Sequence, residues 1–146
     1  MDIPNGFRPM GELRTSPFLD RVGPFYFRRQ DRELTLGVRV GEIHANARGT
    51  AHGGLLLTLA DVALGYQLAF SQDPPAAATT VSISADFLGS ASLGDWVEAH
   101  VDMQQLGARM AFANAYLTAG DRQVARVSAS FLRGDGPLPP ARGARG

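Results

Sequence analysis

The chain carries a regular alternation of apolar and polar residues along most of its length. Every second residue between 34 and 40 is leucine or valine, and this period of two predicts a strand with one apolar face. The alternation returns after residue 79, interrupted only by short glycine-containing segments that indicate turns. Strands are accordingly predicted over residues 25–30, 34–41, 80–87, 96–103, 110–119 and 123–132.

One segment departs from this alternation. Residues 55–70 are apolar nearly all round, follow a loop over residues 44–54 and end before Asp73-Pro74-Pro75, which predicts a helix. A helix without a polar face cannot lie on a surface with one side in water, so the strands have to wrap it. One helix followed by four closely connected strands predicts an α+β fold, in which a curved antiparallel β-sheet wraps one long central α-helix.

The composition is that of a single globular domain. The 146 residues are 45% hydrophobic and 19% charged, and the formal net charge is zero, so neither nucleic acid nor an anionic membrane surface is an expected partner. No metal site is expected, because the chain has no cysteine and its three histidines lack metal-ligand spacing. A membrane span is not expected either, because Asp61 lies near the centre of the apolar helix, where a charge is costly in a bilayer.

The two ends of the chain differ in composition from its middle. Residues 1–24 are rich in glycine, proline and arginine, and we expect a loosely ordered lead-in with a short helical turn near residues 16–21. Residues 25–133 form the predicted domain, and residues 134–146 are expected to be a disordered tail. The first residues contain no apolar stretch of signal-peptide length, so a cytoplasmic location is expected.

Asp61 is the most unusual residue of the predicted helix. It is the only fully charged residue between Arg48 and Asp73. A carboxylate among apolar residues is costly to bury unless it is paired or functional. It is therefore a candidate general base or nucleophile; the alternative is a structural aspartate bonded to a neighbouring hydroxyl or backbone group.

A motif precedes and includes this aspartate. It runs from Asn46 and Gly49 through His52-Gly53-Gly54 to Leu59-Ala60-Asp61, and it continues with strand 80–87, Leu93-Gly94-Asp95 and Gly107. Together with the order of elements, this pattern resembles the hotdog fold, and more closely the PaaI-type acyl-CoA thioesterases of phenylacetate degradation. The resemblance covers about residues 30 to 133.

The resemblance implies hydrolysis of the thioester of an acyl-coenzyme A to the free acid and the thiol. Four residues are then candidates for catalysis. Gly53, at the positive N-terminal end of the helix, would donate its backbone N–H to the developing oxyanion, and Asp61 would act as base or nucleophile. Asn46 would orient the substrate or the aspartate, and Thr80 would orient the water. Coenzyme A belongs to the substrate and product, and no separate cofactor is expected.

The resemblance also suggests where coenzyme A binds. Its phosphates need arginines near the mouth of the site. The candidate substrate-binding residues are His52, Ser82, Phe87, Gln105, Leu106, Gly107, Ala108, Arg109, Met110 and Arg133. The residues expected to line the pocket are mostly leucine, alanine and phenylalanine, which is compatible with medium-chain or aryl acyl groups.

The spacing of two candidates predicts an oligomer. Gly53 and Asp61 are eight residues apart on one helix, a rise of roughly 12 Å, so both cannot act on the same carbonyl from one chain. If both are catalytic, Gly53 and Asn46 of one subunit must combine with Asp61 and Thr80 of another. This predicts a homodimer with shared sites, and we expect a tetramer built from two such dimers.

Two other functions fit the same fold. One is a non-catalytic module that binds acyl-CoA or another metabolite, although a pure binder has little reason to keep Asp61. The other is an acyl-CoA hydratase, whose catalytic Asp and His usually lie close together. Here no histidine follows the helix before His100, so thioesterase is the preferred prediction.

Overall fold

The computed structural model describes residues 2–139, apart from the side chain of residue 135. One antiparallel sheet holds strands β1 (Arg8–Pro9), β2 (Phe25–Gln30), β3 (Glu33–Arg39), β4 (Ala76–Phe87), β5 (Trp96–Leu106), β6 (Met110–Ala119) and β7 (Arg122–Pro137). The helices are α1 (Pro17–Val22) and α2 (Gly53–Phe70), with single 3-10 turns at Met10–Glu12 and Glu42–His44. Across the described residues the strand order is β1-β2-β3-β5-β6-β7-β4, which leaves β4 at one edge.

The register of the sheet explains why the alternation predicted it. Leu36 lies opposite Ala99 and Val38 opposite Val97, and all four are fully buried. The inner faces of β5, β6 and β7 carry many alanines at these inward positions, including Ala113 and Ala115. Such small side chains let the sheet curl closely around α2. The predicted α+β architecture, a curved sheet around one long central helix, is confirmed.

Helix α2 is buried on the side that faces this sheet and partly exposed on the other. Its buried positions are Leu55, Leu56, Leu59, Ala60, Ala63, Leu64, Gln67, Leu68 and Ala69. A stripe that includes Leu57, Asp61, Val62, Gly65 and Tyr66 stays partly exposed, so the sheet of one chain does not wrap the helix completely. By length and mean hydropathy of 1.4, α2 could cross a membrane, but half of its residues are buried inside the fold, as in the core helix of a globular domain.

The N-terminal segment, expected to be loosely ordered, contributes to the core. Phe7, Met10 and Leu19 are buried, and the ring of Phe7 packs edge-on against Trp96 with 5.0 Å between centroids. The helical turn expected near residues 16–21 is α1, which Ser16 caps by accepting a hydrogen bond from the Leu19 N–H. This segment is therefore part of the folded domain.

The C-terminal boundary also lies later than predicted. Strand β7 continues past residue 133 to Pro137, where it pairs with Ala76 of β4 after an irregularity in the register. Leu138 then donates its N–H to the Pro75 carbonyl. Residues 134–139 of the predicted tail thus pack along the domain, whereas residues 140–146 lie outside the described residues.

Candidate active site

The loop before α2 is organised by the side chain of Asn46. Its Oδ1 accepts the backbone N–H of Arg48 at 2.9 Å and of Thr50 at 3.1 Å, while its Nδ2 donates to Thr50 Oγ1 at 2.9 Å. This is a side-chain turn of the kind asparagine favours. The second N–H of this amide has no acceptor among residues 2–139 and can bind a substrate, so the structural role of Asn46 is compatible with a catalytic one.

His52 and Gly53 have different roles at the N-terminus of α2. His52 is the N-cap, and its Nδ1 accepts the N–H of Gly54 at 2.8 Å. Its carbonyl accepts the N–H groups of Leu55 and Leu56. The N–H of Gly53 has no acceptor among residues 2–139, and it lies where the helix dipole favours negative charge. The His52 ring satisfies the N–H of Gly54. The N–H left free at the helix start is that of Gly53, which is the donor predicted to bind the oxyanion.

The ring of Phe87 lies close to Gly53. A Cβ added to Gly53 would lie 3.2 Å from the Cζ of Phe87 at the end of β4. The phenyl ring thus packs directly against the helix start, although 54% of the residue's surface is exposed. A side chain at position 53 would require this ring to shift by a few tenths of an ångström.

Asp61 is held by Thr80, which lies on β4 seven residues before Phe87. Thr80 donates its hydroxyl hydrogen to Asp61 Oδ1 at 2.7 Å, and no other hydrogen bond to this carboxylate is found among residues 2–139. Both residues are partly exposed. The carboxylate is therefore oriented through one oxygen, and its second oxygen can approach a water or a carbonyl carbon.

These four residues line two separate cavities. Asn46 and Gly53 belong to a cavity of about 380 Å³ that Arg48, Thr50 and Phe87 also line. Asp61 and Thr80 belong to one of about 320 Å³ near the middle of α2. The two cavities have no lining residue in common. One chain thus brings the candidate catalytic residues together as two pairs.

The predicted coenzyme A residues are distributed more widely. Phe87 lines the Gly53 cavity, but Ser82 lies on the outer face of the sheet, beside Ser84 and Ser130. The β5–β6 hairpin carries Gln105, Leu106, Gly107, Ala108, Arg109 and Met110, and the Gly107 N–H donates to the Met110 carbonyl to close it. Arg109 is exposed at its tip.

Arg133 is engaged within the protein. Its Nη1 donates to the Gly107 carbonyl at 2.5 Å and its Nη2 to Gln72 Oε1 at 2.7 Å, just beyond the end of α2. Its backbone N–H donates to the carbonyl of Arg109. Arg133 therefore fastens the hairpin to the helix, and Arg109 is the better placed of the two for an external phosphate.

Sequence reasoning missed two polar residues of the Asp61 cavity. Arg14 reaches it from the N-terminal segment and Tyr66 from α2 itself. Arg14 lies outside the recognised motif, in a segment where nothing in the local pattern indicates a function. Tyr66 could have been singled out as a polar-tipped residue five positions after Asp61 in an apolar helix. Among residues 2–139, no group of three or more His, Asp or Glu side chains is placed to hold a metal ion.

Comparison with known proteins bears on the family and the fold of this chain. The thioesterase superfamily model matches residues 48–126. A proposed esterase of Pseudomonas aeruginosa is 51% identical over 132 residues, which cover 90% of this chain and 97% of that protein. The Escherichia coli PaaI protein of the phenylacetic acid degradation operon is similar in structure, with a TM-score of 0.77 and 19% identity over 86% of this chain and 89% of that one. A hypothetical thioesterase of Streptococcus pneumoniae, solved with coenzyme A, has a TM-score of 0.70 and 19% identity over 78% of this chain and 91% of that one.

The chain belongs to the thioesterase superfamily, and its curled sheet around α2 is the hotdog fold. The predicted resemblance to PaaI-type proteins is confirmed, and the chain is a thioester hydrolase.

Proposed function

We propose that this thioesterase hydrolyses medium-chain or aryl acyl-coenzyme A at sites shared between two protomers. In each site the Gly53 N–H of one protomer would bind the thioester oxygen, and Asp61 of the partner subunit would activate the attacking water or attack the carbonyl itself. The observation that carries the proposal is the separation of the Gly53 and Asp61 cavities within one chain.

In the proposed reaction the Gly53 N–H, Asp61 and Thr80 each have one role. As the nucleophile adds to the carbonyl carbon, negative charge develops on the oxygen, and a free N–H at a helix N-terminus stabilises that charge. With water as nucleophile, Asp61 takes its proton and the intermediate expels the coenzyme A thiolate, leaving the free acid. With Asp61 as nucleophile, the carboxylate displaces the coenzyme A thiolate to form a mixed anhydride, and water then hydrolyses the anhydride to the free acid and restores the carboxylate. The Thr80 hydroxyl holds the carboxylate in the same orientation in either route.

The surface of α2 supports a two-fold arrangement. Its partly exposed stripe contains Asp61 and is otherwise mostly apolar, with Leu57, Val62 and Gly65. Two such helices packed antiparallel would cover these stripes, enclose the cavity beside Asp61 between the protomers, and bring the N-terminus of each helix near the middle of the other. Strand β4 packs against α2, and among the described residues no other strand pairs with its outer edge, so this edge could pair with a second copy. A tetramer of two such dimers and a cytoplasmic location stay predictions.

Coenzyme A would reach the site along the β5–β6 hairpin, with Arg109 contacting a phosphate. The pneumococcal relative was solved with coenzyme A, which is consistent with this ligand class. No cofactor other than the coenzyme A of the substrate enters the proposed reaction.

The test is hydrolysis of a panel of acyl-coenzyme A esters, followed by release of the free thiol. Asp61→Asn keeps the volume of the side chain but removes the base and nucleophile, so turnover should fall at least about 100-fold. The matched control is Asp86→Asn, because Asp86 is an exposed carboxylate that pairs with Arg126 on the same edge of the sheet. Unchanged turnover in Asp61→Asn would remove Asp61 from the mechanism, and binding without turnover in the unaltered chain would favour the non-catalytic module.

A further inference from the structure

The Asp61 cavity has two polar lining residues that the proposed reaction does not use. Besides Asp61 and Thr80, Arg14 and Tyr66 line it. The other lining residues are apolar and include Val62, Ala69, Ala78 and Phe131. A cavity next to the reacting carbonyl, with apolar walls and a second polar group, has the form of an acyl pocket.

Arg14 is positioned by the folded N-terminal segment. Its backbone N–H donates to the carbonyl of Met10 at 2.7 Å, and Met10 is buried in the core. Its Nη1 donates to the Pro139 carbonyl at 2.5 Å, which steadies the guanidinium from the C-terminal side. A guanidinium has five N–H donors, so this contact leaves others for a ligand.

Tyr66 adds a neutral hydrogen-bond donor beside this cation. Burial raises the pKa of the Tyr66 hydroxyl above its usual value, and the nearby Arg14 guanidinium only partly offsets the shift. The hydroxyl therefore stays protonated at neutral pH. Tyr66 lies five residues after Asp61, a rise of roughly 7.5 Å along the helix axis, and both residues line the same cavity.

We propose that Arg14 and Tyr66 bind the distal carboxylate of an acyl group that is a dicarboxylic acid, esterified to coenzyme A at its other end. This inference rests on the proposed function and specifies its substrate class. A planar guanidinium matches a carboxylate by two parallel hydrogen bonds. A neutral acyl chain in the same pocket would desolvate the cation without giving it a partner.

The phosphates of coenzyme A do not explain this pair of residues. They are separated from the sulfur by the whole pantetheine arm, whereas Arg14 lines the same cavity as Asp61. The exposed Arg109 on the β5–β6 hairpin is a separate candidate for the phosphates. The position of Arg14 thus favours the acyl side of the thioester.

The experiment compares adipyl-coenzyme A with hexanoyl-coenzyme A, two esters of equal chain length that differ in the terminal carboxylate. We expect kcat/KM to be at least about 10-fold higher for adipyl-coenzyme A, as for a hydrogen-bonded charged group. Arg14→Gln should lower kcat/KM for this ester about 10-fold to 100-fold, and should leave that for hexanoyl-coenzyme A unchanged or raise it. Tyr66→Phe should cause a smaller loss with the same selectivity. Arg21→Gln, which removes an exposed arginine of the same segment, is the matched control and should change neither.

Binding to Asp61→Asn separates this inference from the proposed function. Calorimetric affinities of the two esters for that variant report on the pocket without turnover. Equal affinities for both esters, or equal losses on both in Arg14→Gln, would overturn the carboxylate pocket even if the chain is an active thioesterase. Tighter binding of adipyl-coenzyme A that depends on Arg14 would support the pocket, even if neither ester were hydrolysed and the proposed reaction failed.

Discussion

Thr80 on strand β4 and Asp61 on helix α2 form a hydrogen bond of 2.7 Å, in which the hydroxyl donates to Oδ1. This contact explains how a charged residue is accommodated in so apolar a helix: its Oδ1 is paired with the sheet edge, and the residue lines a cavity. The carboxylate is neither fully buried nor simply solvated. That environment suits a group that has to be oriented and also reach a substrate.

The first prediction concerns this contact. Thr80→Val removes the hydroxyl at nearly constant volume, and we expect kcat to fall about 10-fold or more because a hydrogen bond to a charged group is lost. Thr80→Ser keeps the hydroxyl and should restore most of the activity. The control is Thr79→Val, at the exposed neighbouring position on the same strand. Steady-state kinetics of the three variants test it, and full activity in Thr80→Val would show that Asp61 does not depend on Thr80.

A second prediction separates a structural from a catalytic role for His52. Because its ring caps α2 by accepting the Gly54 N–H, His52→Ala should lower the free energy of unfolding by about 0.5–2 kcal/mol. Asparagine is also a good N-cap, so His52→Asn should recover both stability and turnover. Urea unfolding and kinetics on the same samples measure the two quantities. Normal stability with lost turnover in His52→Asn would instead assign the imidazole to the reaction.

The third prediction distinguishes the two arginines near the β5–β6 hairpin. Arg109→Ala should raise KM with kcat nearly constant, as expected when a remote group binds substrate and transition state equally. Arg133→Ala should also destabilise the chain, because it removes the bonds from Arg133 to Gly107 and Gln72. Kinetics and thermal unfolding of both variants check this difference. A loss of kcat at unchanged KM in Arg109→Ala would contradict the binding role.

Much of the fold could be predicted because each strand keeps its own alternation. Strands β2, β3 and β6 begin and end within two residues of the predicted bounds, and α2 begins only two residues before its predicted start. The predictions failed where tertiary contacts overrule local preference. Residues 134–137 include two glycines, yet they extend β7 because β4 offers a partner. The register shift between Met103 and Gln105 likewise lets β5 continue to Leu106, past its predicted end.

In the candidate site, too, the features that are local in sequence were predicted and those that depend on tertiary contacts were not. The motif around Gly53 and Asp61 is local in sequence, and helix rise alone predicted that the two residues lie too far apart to share one carbonyl. Arg14 could not be predicted, because its place in the Asp61 cavity depends on Met10 packing into the core and on contact with Pro139. The hydrogen bonds of Arg133 could not be predicted either, because they join it to Gly107 in a hairpin and to Gln72 after a helix, both distant in sequence.

The last prediction tests the shared site, using differently tagged chains purified as mixed dimers. Asp61→Asn and Asn46→Ala are first measured as homodimers, where both should be strongly impaired. A mixed dimer of these two chains holds one site with an intact Asn46 and an intact Asp61. It should therefore recover up to about half of the normal activity by two-fold symmetry.

The decisive comparison is with a mixed dimer of the same two defects arranged differently. Here an unaltered chain is paired with a chain that carries both Asp61→Asn and Asn46→Ala. If sites are shared, every site in this dimer has one defect, and the dimer should be as inactive as the impaired homodimers. The account therefore predicts activity when the defects lie on separate chains and none when they lie on one. The reverse pattern, an inactive first dimer and a half-active second one, would contradict it.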